Sequence, residues 1–142
     1  MKIYFPKKSS SNLSKKMLIQ PIFVDQRLKV KKKIKGLGNN YSWTQSTIIK
    51  AIESDLKKGI KNFLLFVVPS DKQKLPEDFS FHYDVIYNLK QEFKKDITLL
   101  VDTCLCSITP DGHCGISHKM KIDLKQTHYA LGLAANTYLE AG

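Results

Sequence analysis

Three cysteines fall within eleven positions in the segment VDTCLCSITPDGHCGI, residues 101–116. Cys104, Cys106 and Cys114 are the only cysteines of the chain and form the pattern C-x-C-x7-C. Thiolates are soft ligands, so such a cluster points to metal binding, the plain alternative being three unrelated buried thiols. An odd number of thiols without a secretion signal argues against a disulfide framework. A structural zinc site needs four protein ligands, so a fourth would have to come from His118, reaching round. His113 is adjacent to Cys114 and tends to diverge from it. Three thiolates with one open position resemble a catalytic zinc site instead. Gly112 and Gly115 allow a tight loop there, and Asp102, just before it, has the charge to hold a substrate amine or orient a ligand.

These residues need a rigid platform, and the flanking sequence supplies one. The run DITLLVD (96–102) reads as a strand, so the cysteines follow a strand end. Upstream, IQPIFV (19–24) and NFLLFVV (62–68) are two more strands; the unbroken apolar run of the second predicts burial on both faces. Between them, 25–41 reads as a loop with Gly36 and Gly38, and Ser42 as a cap for a helix whose stripe is Ile48, Ile49, Ile52 and Leu56, stopped at Gly59. A second helix around 81–94 carries Val85, Ile86, Leu89 and Phe93. A third covers DLKQTHYALGLAANTYLEAG (123–142). Strand followed by helix, three times, predicts an α/β fold with a parallel sheet and crossover helices. The order alone fits an open doubly wound sheet or a barrel, and both keep their chemistry at the C-terminal ends of strands.

The chain carries 23 basic and 13 acidic residues in 142, a net charge of +10. Its one arginine, Arg27, is too little for the bidentate readout on which nucleic-acid recognition rests, so the lysines read as solvated surface and no nucleic-acid partner is expected. No apolar run approaches the ~20 residues of a membrane span. Residues 1–18 read as a basic N-terminal arm without the apolar core of a secretory signal; the expected location is cytoplasmic, with an organelle transit segment as the alternative.

The cysteine segment resembles the zinc-binding segment of the porphobilinogen synthase (5-aminolevulinate dehydratase) family, whose form is close to D-V-C-L-C-x-Y-T-x-H-G-H-C-G. Asp102, Cys104, Cys106, Thr109, Gly112, His113, Cys114 and Gly115 fall in register. IQPIFV is similar to the family's first strand, L-I-Y-P-x-F-V. LKKGIKNFLLFVVP is similar to G-I-x-x-V-x-L-F-x-V, and AANTYLEAG to A-x-x-x-A-x-A-G. The resemblance spans about 13–142. It implies a partial (β/α)8 TIM barrel: about three βα units over 19–142, where a whole barrel takes ~250 residues. It also implies an enzyme of tetrapyrrole synthesis that condenses two 5-aminolevulinate molecules into porphobilinogen. Zinc on Cys104, Cys106 and Cys114 and an active-site aspartate at Asp102 come with it, as does a homo-oligomeric family.

The sequence departs from that pattern in places. Ile108 stands for the family's tyrosine and Asp111 for its first loop histidine; GLGN replaces MPG, and SDKQKLPED replaces K-D-x-x-G. The Schiff-base lysines of the family lie on later strands. Lys72, Lys74, Lys119 and Lys121 are the lysines near the expected barrel mouth, and none matches them. The expectation is therefore a truncated or split front part, inactive by itself and dependent on a second chain for the rest of the barrel. The alternative is a non-catalytic zinc-binding or assembly module derived from the enzyme.

Overall fold

The apolar runs become the central strands. In a computed structural model, which describes residues 14–118 and 121–142, β1 (Ile19–Asp25) and β4 (Asn62–Val68) pair in parallel along their whole length, Ile19 opposite Asn62 and Asp25 opposite Val68. β5 (Thr98–Val101) adds in parallel to the other side of β4, Leu64 opposite Leu100. Residues 1–13 of the expected basic arm lie outside the described residues, as does Lys119. Lys15–Met17 forms a single 3-10 turn.

The segment expected as a loop contains two short strands. β2 (Lys32–Lys33) pairs antiparallel with β3 (Tyr41–Trp43), and β3 pairs in parallel with the end of β1, giving the order β2-β3-β1-β4-β5. Ser42 is thus a strand residue opposite Phe23, not a helix cap. Thr44 starts the next helix instead. Its Oγ1 accepts from the Thr47 N–H (3.1 Å) and its carbonyl from the Ile48 N–H (3.1 Å), leading into α1 (Ile48–Lys57). Gly59, at φ +88°, ends the helical segment as expected.

The helices cover one face of the sheet. Ile22, Val24, Phe63, Leu65 and Val67 are buried against Ile48 and Ile52 of α1, Val85, Ile86, Leu89 and Phe93 of α2 (Ser80–Phe93), and Ala130, Ala134 and Tyr138 of α3 (Leu124–Ala141). α3 is capped by the Asp123 carboxylate, which accepts from the Gln126 N–H. The expectation that β4 is buried on both faces is not met. Its residues alternate, Phe63, Leu65 and Val67 buried, Leu64, Phe66 and Val68 half-buried. The helices cover one face only; on the other, Phe23 stacks on Phe66 at 4.9 Å and 13°, and Leu100 is 39% exposed. A closed barrel fills that face with side chains from its remaining strands. No helix among the described residues is long and apolar enough to cross a membrane.

Candidate metal centre

The cysteine loop leaves β5 at its C-terminal end. Asp102 continues the ladder, its N–H donating to the Leu65 carbonyl (3.0 Å), and one helical turn follows, with the Ile108 and Thr109 N–H groups both donating to the Leu105 carbonyl (2.9 Å each). Leu105 and Ile108 are fully buried. Sinking these two side chains into the core turns their neighbours outward, and that lifts Cys104 and Cys106 side by side to the surface of the sheet end. The first limb is pinned from outside by the loop after β4: the Gln73 N–H donates to the Ile108 carbonyl (2.8 Å) and Lys72 Nζ to the Ser107 carbonyl (2.6 Å).

The second limb returns Cys114. Gly112 takes φ +71°, a conformation that favours glycine, and the chain turns back. Thr109 Oγ1 donates to the His113 carbonyl (2.8 Å), and Asp111 Oδ1 and Oδ2 accept from the His113 N–H (3.1 Å) and the Ser117 hydroxyl (2.8 Å). Two hydrogen bonds from the loop hold the Asp111 carboxyl below its ordinary range, the His113 N–H being the stronger influence and the Ser117 hydroxyl the next. The limb ends at a two-stranded hairpin, β6 (Ser117–His118) with β7 (Lys121–Ile122), and the Ile116 N–H donates to Thr127 Oγ1 on α3 (2.9 Å). Gly115 packs closely: a Cβ there would meet Ile122 Cγ2 at 3.1 Å, so a larger residue would push that side chain aside.

The result is convergence. The sulfurs of Cys104, Cys106 and Cys114 lie within 4.8 Å of one another, Cys104 and Cys106 at 3.4 Å. The three thiols share protons unequally. Burial pushes Cys104 up, but the Cys106 N–H and the neighbouring thiols outweigh it and bring Cys104 down; burial and the Cys104 sulfur push Cys106 up to about 11. Cys114 is raised by Cys104. Cys104 is thereby the most readily ionised of the three, and a cation placed among them would favour the thiolate form of all three. The donor set fits a soft or borderline metal, with Cys114 exposed and a fourth direction open to solvent.

His118 is not a member of this group; it sits exposed on β6. His113 Nδ1 accepts from the Gly115 N–H (3.0 Å), so the imidazole serves the loop's own fold. Asp102 is half-buried beside the cluster. It is not one of the converging ligands, yet its charge acts on Cys104, Cys114 and the Tyr138 hydroxyl, a group raised chiefly by burial. Sequence reading missed the anchors Lys72, Gln73 and Thr127. Polar residues of ordinary loops carry no signal until the fold brings them to the cysteine segment. Arg27, the one arginine, is spent on a bidentate pair with Asp25 (2.9 and 2.7 Å).

Comparison with known proteins agrees over nearly the whole chain. The sequence model of the delta-aminolevulinic acid dehydratase family matches residues 6–142. The delta-aminolevulinic acid dehydratase of Archaeoglobus fulgidus is 33% identical over 139 residues, 93% of this chain and 42% of that protein. That of Ruminiclostridium josui is 30% identical over 135 residues, 93% of this chain and 66% of that protein. The crystal structure of the Toxoplasma gondii enzyme (porphobilinogen synthase), in complex with the reaction product porphobilinogen, superposes with a TM-score of 0.84 at 27% identity, over 94% of this chain and 40% of that one. The chain spans less than half the length of the A. fulgidus and T. gondii proteins. Its parallel sheet is thus a segment of a (β/α)8 barrel, and the chain belongs to the delta-aminolevulinic acid dehydratase family.

Proposed function

We propose that this chain is the metal-binding first part of a porphobilinogen synthase, acting in the condensation of two 5-aminolevulinate molecules to porphobilinogen. The observation that carries the reading is the convergence of Cys104, Cys106 and Cys114 at the C-terminal end of β5. That is where barrel enzymes keep their chemistry. The porphobilinogen bound in the T. gondii structure supports the substrate class.

Zinc is the metal the donor set favours: Cys104, Cys106 and Cys114 would hold it, and when bound it supplies Lewis acidity and a template for substrate. Asp102, on the same strand end, orients the substrate amine through its charge. Reduced thiols suit a cytoplasmic location. Activation of the first substrate's ketone requires a lysine imine. Lys72 is exposed and committed to the Ser107 carbonyl, and Lys74 and Lys121 are exposed, without, among the described residues, the apolar pocket or neighbouring cation that activates a lysine amine for imine formation. The imine lysine therefore comes from polypeptide that completes the barrel, and the 142-residue chain alone makes no porphobilinogen.

The test is porphobilinogen formation, read by the modified Ehrlich reaction. It is run with the chain alone and with a polypeptide carrying the remaining strands of a relative, alongside zinc content. Borohydride trapping with 5-aminolevulinate, read by mass spectrometry, locates the imine. Zinc bound by the chain alone and in the complemented sample, with product in the complemented sample only, is the expected result. A stoichiometric adduct on a lysine of this chain with turnover by the chain alone would overturn the division of labour. Zinc binding without complementation by any barrel partner would favour a non-catalytic module.

A further inference from the structure

The two limbs of the cysteine loop are held by different means. Cys104 and Cys106 flank the fully buried Leu105, and Lys72 and Gln73 tie their limb to the preceding loop. Cys114 has no buried neighbour on its N-terminal side: residues 110–113 are all exposed. What brackets it is one carboxylate. Asp111 Oδ1 takes the His113 N–H, one residue before Cys114, and Oδ2 takes the Ser117 hydroxyl, three residues after it. Thr109, nearly fully buried, adds a bond to the His113 carbonyl.

We propose that Asp111 is a positioning residue for Cys114: its carboxylate clamps the returning limb so that the third sulfur meets the other two. The inference rests on the metal reading of the three thiols given above. It follows from connectivity. Cys114 is eight positions from Cys106, and apart from the carboxylate the intervening turn is closed only by the Thr109 hydroxyl on the His113 carbonyl (2.8 Å) and a long Gly112 N–H to Thr109 carbonyl bond of 3.3 Å. Without the clamp, the limb carrying Cys114 samples many conformations. The entropy of fixing it is then charged against metal binding, as in any site whose ligands are not preorganised. An asparagine can accept from His113 and donate to Ser117 Oγ, so it preserves the clamp; an alanine cannot.

Cobalt(II) and zinc binding by the full chain decide this. Thiolate-to-cobalt charge-transfer absorption rises with the number of bound sulfurs, a signature that a general loss of stability does not imitate. The wild-type chain is expected to show a three-thiolate spectrum, and Cys106→Ser a weaker one. Asp111→Ala should bind zinc roughly 10–100-fold more weakly, the range for loss of an outer-shell partner, with a two-thiolate cobalt spectrum. Asp111→Asn should restore both. Wild-type affinity and spectrum in Asp111→Ala overturn the clamp while leaving the metal site standing. No thiolate band in the wild-type chain overturns the metal site and the clamp with it. Should Asp111→Ala lose its far-ultraviolet dichroism, Ser117→Ala decides, since it removes only the Oδ2 partner at an exposed position: weaker binding supports the clamp, and unchanged binding overturns it.

Discussion

The Cys104 sulfur lies 3.4 Å from the Cys106 sulfur, close enough for one thiol to donate to the other's lone pair, and the pair titrates as a unit with Cys104 lowered and Cys106 raised. Ligation of all three sulfurs must expel the thiol protons, those of the raised Cys106 and Cys114 above all, so zinc binding should release protons near neutral pH and weaken as pH falls. Each of Cys104→Ser, Cys106→Ser and Cys114→Ser should lower zinc affinity by more than the ~10–100-fold typical of outer-shell losses. Competition against a chromophoric chelator measures it. Equal retention of zinc in all three variants would remove the site.

A buried histidine sets the acid limit of the fold. His82 of α2 stacks on Tyr138 of α3, centroids 5.5 Å apart at 20°, with Phe79 edge-on. It is 3% exposed and its Nδ1 has no hydrogen-bond partner. Burial lowers its pKa from 6.5 to about 4, against the weaker opposing pull of Asp78. The unfolded chain therefore binds this proton more readily than the folded one. Stability is undiminished above ~6.5, falls as pH drops through 6.5, and has lost its full share, roughly 3 kcal/mol, below about 4. His82→Phe, which keeps the stack, should flatten the urea-midpoint profile between pH 6.5 and 4. Asp25 and Asp78, both lowered, act only below that window. An unchanged slope in the variant would assign the acid sensitivity elsewhere.

The long elements were legible because their periods are clean. The α2 stripe Val85, Ile86, Leu89 and Phe93 is the buried face of that helix, and the expected strand 62–68 is β4 to the residue. The missed strands β2 and β3 are two and three residues long, too short for any alternation to show; β3 exists by pairing with Phe23 and Val24, and β2 by pairing with β3. The even positions of β4 misled for a physical reason: Leu64, Phe66 and Val68 are apolar because a barrel interior awaits them, while the helices cover only the odd ones. At the site, the thiols were visible from spacing. The role of Asp111 was not, because a carboxylate in an exposed loop reads as solvated surface until its two acceptor bonds are seen.

The end of α2 stores strain that a single change should release. Lys94 follows the helix at φ 46°, ψ −111°, the one non-glycine positive φ among the described residues. Its side chain is exposed, so nothing is lost in packing. Lys94→Gly should raise stability by about 1 kcal/mol, the relieved strain exceeding the entropy glycine adds to the unfolded chain. The Lys94 N–H to Lys90 carbonyl bond (2.9 Å) remains available in the variant. Denaturant melts at pH 7 read the difference, and a loss of stability would show that the side chain makes a compensating contact.

The uncovered face of the sheet should govern association. Pro21, Leu64 and Leu100 lie in register across β1, β4 and β5, beside the Phe23–Phe66 stack, and Leu100 is 39% exposed. An apolar sheet face with open strand edges is a template for other chains. The isolated chain is expected to self-associate in a concentration-dependent way. Leu100→Glu should shift light scattering toward monomer while changing stability by no more than about 0.5 kcal/mol, as for a surface substitution. The same substitution should abolish complementation by a polypeptide carrying the remaining barrel strands, because closure would bury an unpaired carboxylate. Tyr129→Glu on α3, where the ring is 59% exposed on a helix outside the sheet, is the control and should alter neither readout. Association unaffected by Leu100→Glu would place the contact on the helix side of the sheet instead.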